Sequence, residues 1–180
     1  RTRASLRRGR TDWYRFENVT SDVAQVYIYD EIGYFGVTAQ DFVAELGRVT
    51  AREIELHLNT PGGDVMDGIA ITNALRDHPA KVTAIVDGAA NSAGSFILQA
   101  GDHRVMNRNS EVIIHDGHTI GIGDAAAFRD LADRLEVASA NIADIYAERS
   151  GRPATEWRDA MRATTRYGAQ EAVDAGLADE

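Results

Sequence analysis

Two stretches place side chains that could do chemistry together. In Gly88-Ala89-Ala90-Asn91-Ser92-Ala93-Gly94-Ser95-Phe96, a serine sits among small residues just after the apolar run Val82–Val86. In Val112-Ile113-Ile114-His115, a β-branched run ends on a histidine. A serine hydroxyl is a weak nucleophile at neutral pH until a neighbouring base takes its proton. Imidazole is the side chain best suited to that task. Ser92 is expected to open a helix, where backbone N–H groups lack partners. The N–H of Ala93 is then available to an oxyanion forming beside the hydroxyl. Thr60-Pro61-Gly62-Gly63 follows another expected strand, and its glycines expose backbone N–H groups without side-chain cover, so Gly63 is the candidate second donor. The chemistry this set supports is nucleophilic attack on an acyl carbon, as in a serine peptidase. Each part also has an ordinary structural reading. Serine leads the N-cap preferences, and a Gly-Gly turn is a common strand-to-helix connector.

The remaining histidines have less telling contexts. His57 lies inside an alternating strand, His78 beside Pro79 at a helix end, and His103 in a Gly-Asp-His turn. His118 falls in a glycine-rich stretch within reach of a substrate. His115, Asp116 and His118 could be imagined as metal ligands, but there is no HExxH, no cysteine pair and no paired-carboxylate spacing. No metal or other cofactor is expected.

These residues need a scaffold. The chain has 180 residues, 44% hydrophobic and 26% charged, which is the balance of a globular domain. A net charge of −9 argues against nucleic acid as a partner. With no cysteine, disulfides and thiolate metal sites are excluded. No apolar run approaches the roughly 18 residues of a membrane span, and no signal-peptide pattern opens the chain. Residues 1–22 are expected to be a flexible basic arm, with Arg1, Arg3, Arg7, Arg8 and Arg10 in its first part. Strands are predicted over Val23–Tyr29, Glu53–Leu58, Val82–Val86, Arg104–Met106 and Glu111–His115. The mostly apolar Val82–Val86 is expected to be covered on both faces. Helices are predicted from Thr38, over Asp64–Arg76, Ser92–Ala100, Asp124–Ser150, Thr155–Ala163 and Ala169–Ala175. Alternating strands and helices imply a mostly parallel α/β sheet. The Asp124–Ser150 helix, with Leu131, Leu135, Ala138, Ile142 and Ile145 on its apolar stripe, is too long to pack fully on so small a domain. It is expected to project toward a neighbouring subunit.

Asn59-Thr60-Pro61-Gly62-Gly63, the segment Gly88–Phe96 and Asn109-Ser110-Glu111-Val112-Ile113-Ile114-His115 resemble the ClpP peptidase family in order and spacing. The ending Ala169-Gln170-Glu171-Ala172-Val173-Asp174-Ala175-Gly176-Leu177-Ala178-Asp179 is similar to that family's A-x-E-A-x-x-x-G-L-x-D stretch. Within the family, Tyr27-Ile28-Tyr29-Asp30-Glu31-Ile32-Gly33 is most similar to ClpP-related head maturation proteases of tailed phages and prophages. The resemblance implies a single domain over 23–180 with a Clp/crotonase-type α/β fold: a repeated ββα spiral with a protruding handle strand and long helix at about 117–150. It makes Ser92 the nucleophile, His115 the base, and the N–H groups of Gly63 and Ala93 the oxyanion hole. It implies that Gly117, His118, Thr119, Ile120 and Gly121 bind an extended substrate, with Gly117–Gly123 forming the handle strand.

The implied activity is that of a serine endopeptidase acting on phage scaffold or capsid protein. The implied assembly is a homo-oligomeric, heptameric ring in a bacterial cytoplasm or prohead, with no nucleic-acid or membrane partner. The alternatives are a housekeeping ClpP subunit serving an AAA+ unfoldase, a non-catalytic assembly subunit, and a crotonase-like acyl-CoA enzyme. One position departs from the family. The triad acid is expected five residues before Ala169, where this chain has Thr164. Either Thr164 orients His115, or a carboxylate such as Asp159 or Asp116 stands in, or the enzyme is slow until assembled.

Overall fold

The computed structural model describes residues 14–17, 22–33 and 36–180. A seven-stranded sheet runs in the order β1 (Tyr14–Glu17), β2 (Val23–Ile28), β3 (Glu53–Thr60), β4 (Lys81–Asn91), β6 (Glu111–Ile114), β7 (Thr165–Gly168), with β5 (His103–Met106) also on β4. The pairs β2–β3, β3–β4, β4–β5 and β4–β6 are parallel, and the flanking pairs β1–β2 and β6–β7 are antiparallel. The helices are α1 (Ala39–Leu46), α2 (Val65–Asp77), α3 (Ala93–Ile97, continued by a 3₁₀ turn to Ala100), α4 (Ala125–Ser150), α5 (Ala154–Arg162) and α6 (Ala169–Ala175). The mixed α/β architecture expected from the alternating pattern is present. Thr38 caps α1 as its position predicts, its hydroxyl accepting the N–H of Asp41 at 3.1 Å.

β4 is the organising strand. Its first half pairs with β5 through Thr83–Val86, and its last residues pair with β6 through Ala89–Asn91. On the edge away from β3, one strand therefore serves two partners and delivers Ser92 beside β6. Burial along β2, β3 and β4 alternates. One face, with Val26, Ile28, Leu56, Leu58, Ala84 and Val86, is sealed in the core with Phe42, Ile71 and Ile97. The expectation that Val82–Val86 is covered on both faces is thus corrected. The other face is half-open and carries a bonded polar layer. His57 Nδ1 lies 2.9 Å from Asp87, Tyr29 donates to Asp87 at 2.6 Å, and Asn107 donates to its other oxygen at 2.9 Å. Burial, followed by the bond to Asp87, pushes the Tyr29 phenol up to about 12.

Two further expectations change. The flexible-arm reading does not extend to Tyr14–Glu17, which pairs antiparallel with β2; residues 1–13 and 18–21 lie outside the described residues. Gly117–Gly123 forms no strand among the described residues. Among the described residues its neighbours are side chains of the following helix rather than a strand that could supply a ladder, and Ile120 is 97% exposed. The helix that follows is as long as predicted, about 39 Å at 1.5 Å per residue. It starts on Asp124, whose carboxylate accepts the N–H groups of Ala126 and Ala127, and ends on Gly151 at φ +70°. Its buried residues are Ser139, Ile142, Ala143 and Tyr146, so only the C-terminal part is seated and the N-terminal part projects.

The C-terminus is clipped to β5. Arg104, buried among Gln99 and Gly176, pairs with Asp179 at 2.6 Å. The guanidinium hydrogen bonds hold the Asp179 carboxyl below its ordinary value, so the clip stabilises the fold at neutral pH. That stabilisation is lost as pH falls through the lowered folded value. Asp179→Asn is expected to cost about 2 kcal/mol at pH 7, at the low side for breaking a buried pair because Asp179 is partly exposed. In urea melts the wild type and the variant should converge under acid; a gap that persists unchanged would contradict this account.

Candidate active site

Ser92 stands where β4 ends and α3 begins. Its φ of +51° and ψ of −118° lie outside the conformations that side-chain-bearing residues prefer. Two neighbours hold it there. Its N–H donates to the Ile113 carbonyl of β6 at 2.8 Å, and its carbonyl accepts the Ser95 N–H at 2.9 Å. The Ser95 hydroxyl also donates to the Ser92 carbonyl. Ser92 occupies the N-cap position, but its hydroxyl makes no capping bond. The ordinary capping role of a serine is therefore not what this residue performs.

β6 carries the chain two residues past Ile113 to His115. Its Nδ1 lies 2.7 Å from the Asp116 carbonyl oxygen. A carbonyl can only accept, so Nδ1 carries a proton, and in the neutral ring the lone pair is on Nε2. Among the described residues no hydrogen bond joins His115 to Ser92. The two line the same cavity, of about 630 Å³. Catalytic hydrogen bonds are often loose before substrate binds.

Gly62 and Gly63 form another wall of that cavity, with φ of +94° and +146°. A Cβ on Gly62 would sit 2.5 Å from Ser92 Cβ and 2.8 Å from the Ala93 nitrogen, so the turn lies directly on Ser92. A Cβ on Gly63 would overlap the Ile32 carbonyl. Gly63 bridges Ile32 in parallel fashion: Ile32 N–H donates to Gly62 and Asp64 N–H donates to Ile32, each at 2.8 Å. In that arrangement the N–H of Gly63 itself points away from Ile32. Ala93 is buried under the cavity floor, and its N–H, first in α3, has no partner within the helix.

Among the other predicted residues, Gly117 and His118 line the cavity, and the His118 ring lies 5.1 Å from that of His115. Thr119, Ile120 and Gly121 continue outward beyond it. Thr164, at φ +51°, precedes β7, and the pairing of Ile114 with Thr165 sets it beside His115 in register. It does not line the cavity, and His115 Nδ1, which one of the three readings would have Thr164 orient, is taken by Asp116's backbone. The alternative carboxylates are also engaged elsewhere. Asp116 pairs with Arg158, which also holds Glu136, and Asp159 is 81% exposed and paired with Arg162. Among the described residues no cluster of three metal-ligating side chains exists. No described helix is long and apolar enough to cross a membrane.

Several wall residues escaped the sequence reading. Ile32, Val65, Phe96, Ile142 and Tyr146 make the apolar side. Ile142 was visible as part of a helical stripe, and Tyr146 is its neighbour one turn on. Glu31 and Asp64 add acidity at the same cavity.

Against known proteins, a family described as Clp protease matches residues 9–180. The ATP-dependent Clp protease proteolytic subunit of Deinococcus radiodurans is 33% identical over 138 residues, covering 72% of this chain and 64% of that protein. The protein of the same name from Pleurastrum terricola is 31% identical over 134 residues, covering 73% and 68%. The chain thus spans about two thirds of the length of these relatives.

The positive φ of Ser92 has a thermodynamic consequence. Ser92→Gly and Ser92→Ala both lose the hydroxyl, but only glycine relieves the backbone. Ser92→Gly is expected to be more stable than Ser92→Ala by about 1 kcal/mol in denaturant titration. Equal stabilities would mean that Ser92 is not strained.

Proposed function

The chain belongs to the Clp protease family, and from that premise we propose that it is a serine endopeptidase working through Ser92 and His115. The observation that carries this reading is an uncapped serine held at positive φ on a helix start, in one cavity with a histidine whose Nδ1 is already committed. His115 Nε2 takes the hydroxyl proton as Ser92 Oγ attacks the peptide carbonyl. The resulting oxyanion accepts the N–H groups of Gly63 and Ala93. The imidazolium then gives its proton to the leaving amine, and water, deprotonated by the same Nε2, releases the acyl group. The Asp116 carbonyl fixes the ring and its tautomer but brings no full negative charge. Replacing a triad acid by a neutral group can cost about 10⁴ in rate, so a slow enzyme is expected.

Protein and peptide chains are the substrates of this reading, laid extended along Gly117–Gly121 through main-chain hydrogen bonds. Self-association is supported by the projecting α4 and by exposed Ile120, Ile122, Phe128 and Val137 on and before it, and the heptameric ring by likeness to the family. The setting we favour is phage head maturation, on scaffold or capsid protein, from the likeness of Tyr27–Gly33. A housekeeping role with an AAA+ unfoldase is favoured instead by the names of the two relatives.

A fluorophosphonate probe tests the chemistry. The wild type should label and Ser92→Ala should not, while His115→Ala should lower peptide turnover by at least about 10³-fold. Thr164→Val should stay within about twofold, since a neutral threonine is not the group on Nδ1. Labelling that persists in Ser92→Ala would remove Ser92 from the reaction. Degradation of a folded substrate only with an added ATPase would decide for the housekeeping setting.

A further inference from the structure

A chain of buried hydroxyls reaches from the Ser92 backbone to the long helix, whose Tyr146 also lines the cavity. Ser95 is 0% exposed and Tyr146 is 1% exposed. Ser95 Oγ bonds the Ser92 carbonyl, and Tyr146 Oη lies 2.6 Å from Ser95 Oγ. The direction of each bond follows from the groups. The Ser92 carbonyl can only accept, so Ser95 spends its one proton there, and Tyr146 must donate to Ser95. Burial raises the Tyr146 phenol well above its ordinary range, so that proton is present at every working pH.

We propose that Ser95 and Tyr146 are positioning residues for the nucleophile: the relay from Tyr146 O–H through Ser95 O–H to the Ser92 carbonyl holds the Ser92 backbone in its positive-φ conformation and so aims Oγ at the substrate. The inference rests on the peptidase reading. A serine early in a helix often bonds the carbonyl three residues back without further meaning. Here the Ser95 hydroxyl itself is also held by Tyr146 from α4, a separate element that lines the cavity beside Ser92. Two buried hydroxyls would be costly without partners, and each satisfies the other. The relay is therefore directional and complete, and it ends on the carbonyl of Ser92 itself.

The test uses Ser95→Ala, Tyr146→Phe and the double variant, with kcat and KM on a short peptide, the fluorophosphonate labelling rate, and thermal melts. Each single variant should lower kcat and the labelling rate by roughly five- to tenfold, the scale of one lost buried hydrogen bond, with KM within about twofold. The double variant should be no worse than Ser95→Ala, because Tyr146 acts through Ser95. Tyr146→Phe keeps the ring and removes one oxygen, so it carries the test even where Ser95→Ala fails to fold. A reactive wild type whose rates are unchanged in Tyr146→Phe, or effects that multiply in the double variant, would overturn the relay alone. A wild type that neither labels nor cleaves would overturn the peptidase reading and the relay with it.

Discussion

The hydrogen bond from the Ser92 N–H to the Ile113 carbonyl, 2.8 Å long, is the constraint on which the rest of the site depends. It is the last rung of the β4–β6 ladder after Ala89–Asn91. On one side of that rung the chain turns sharply into α3, exposing a hydroxyl. On the other, β6 needs only two more residues to reach His115. Two side chains far apart in sequence become neighbours because their strands are parallel partners whose C-terminal ends finish at the same level. Catalytic groups in open parallel sheets commonly gather at such ends.

Around that rung the elements divide the work. β3 ends in Thr60, whose hydroxyl donates to the Asp30 carbonyl at 2.6 Å and accepts the Gly62 N–H at 3.1 Å, so the glycine turn is fastened before it touches Ser92. The seated end of α4 closes the apolar wall with Ile142 and Tyr146. Ser139 on the same helix accepts the Gly117 N–H at 3.0 Å, fixing where the glycine-rich segment leaves the cavity. Beyond that point the segment and the first half of α4 are exposed. The helix is thus anchored at the cavity and exposed toward its N-terminal end.

Much of this was legible in the sequence for identifiable reasons. The β-branched runs, the Thr38 cap and the Gly151 stop are local signals, and local signals place elements well. The small-residue segment and the strand-end histidine picked out two residues, Ser92 and His115, that line one cavity. What escaped was non-local. Thr165–Gly168 and Tyr14–Glu17 are short, and they become strands only because β6 and β2 offer free edges. The open polar face of β4 was hidden because Ile85 and Val86 look alike in a list yet point to opposite sides. The partner of His115 was sought among side chains, whereas a backbone carbonyl, which no sequence motif records, occupies Nδ1. The handle strand was expected from likeness to a family, but a strand needs a paired neighbour, and none of the described strands pairs with Gly117–Gly123.

The most direct measurement is a crystal structure of the protein after reaction with a fluorophosphonate. The account predicts phosphorus bonded to Ser92 Oγ, with one phosphonyl oxygen within about 2.7–3.1 Å of both the Gly63 and Ala93 nitrogens, and His115 Nε2 facing Oγ. An adduct on another residue, or an oxygen turned to solvent with the imidazole swung out of the cavity, would contradict it.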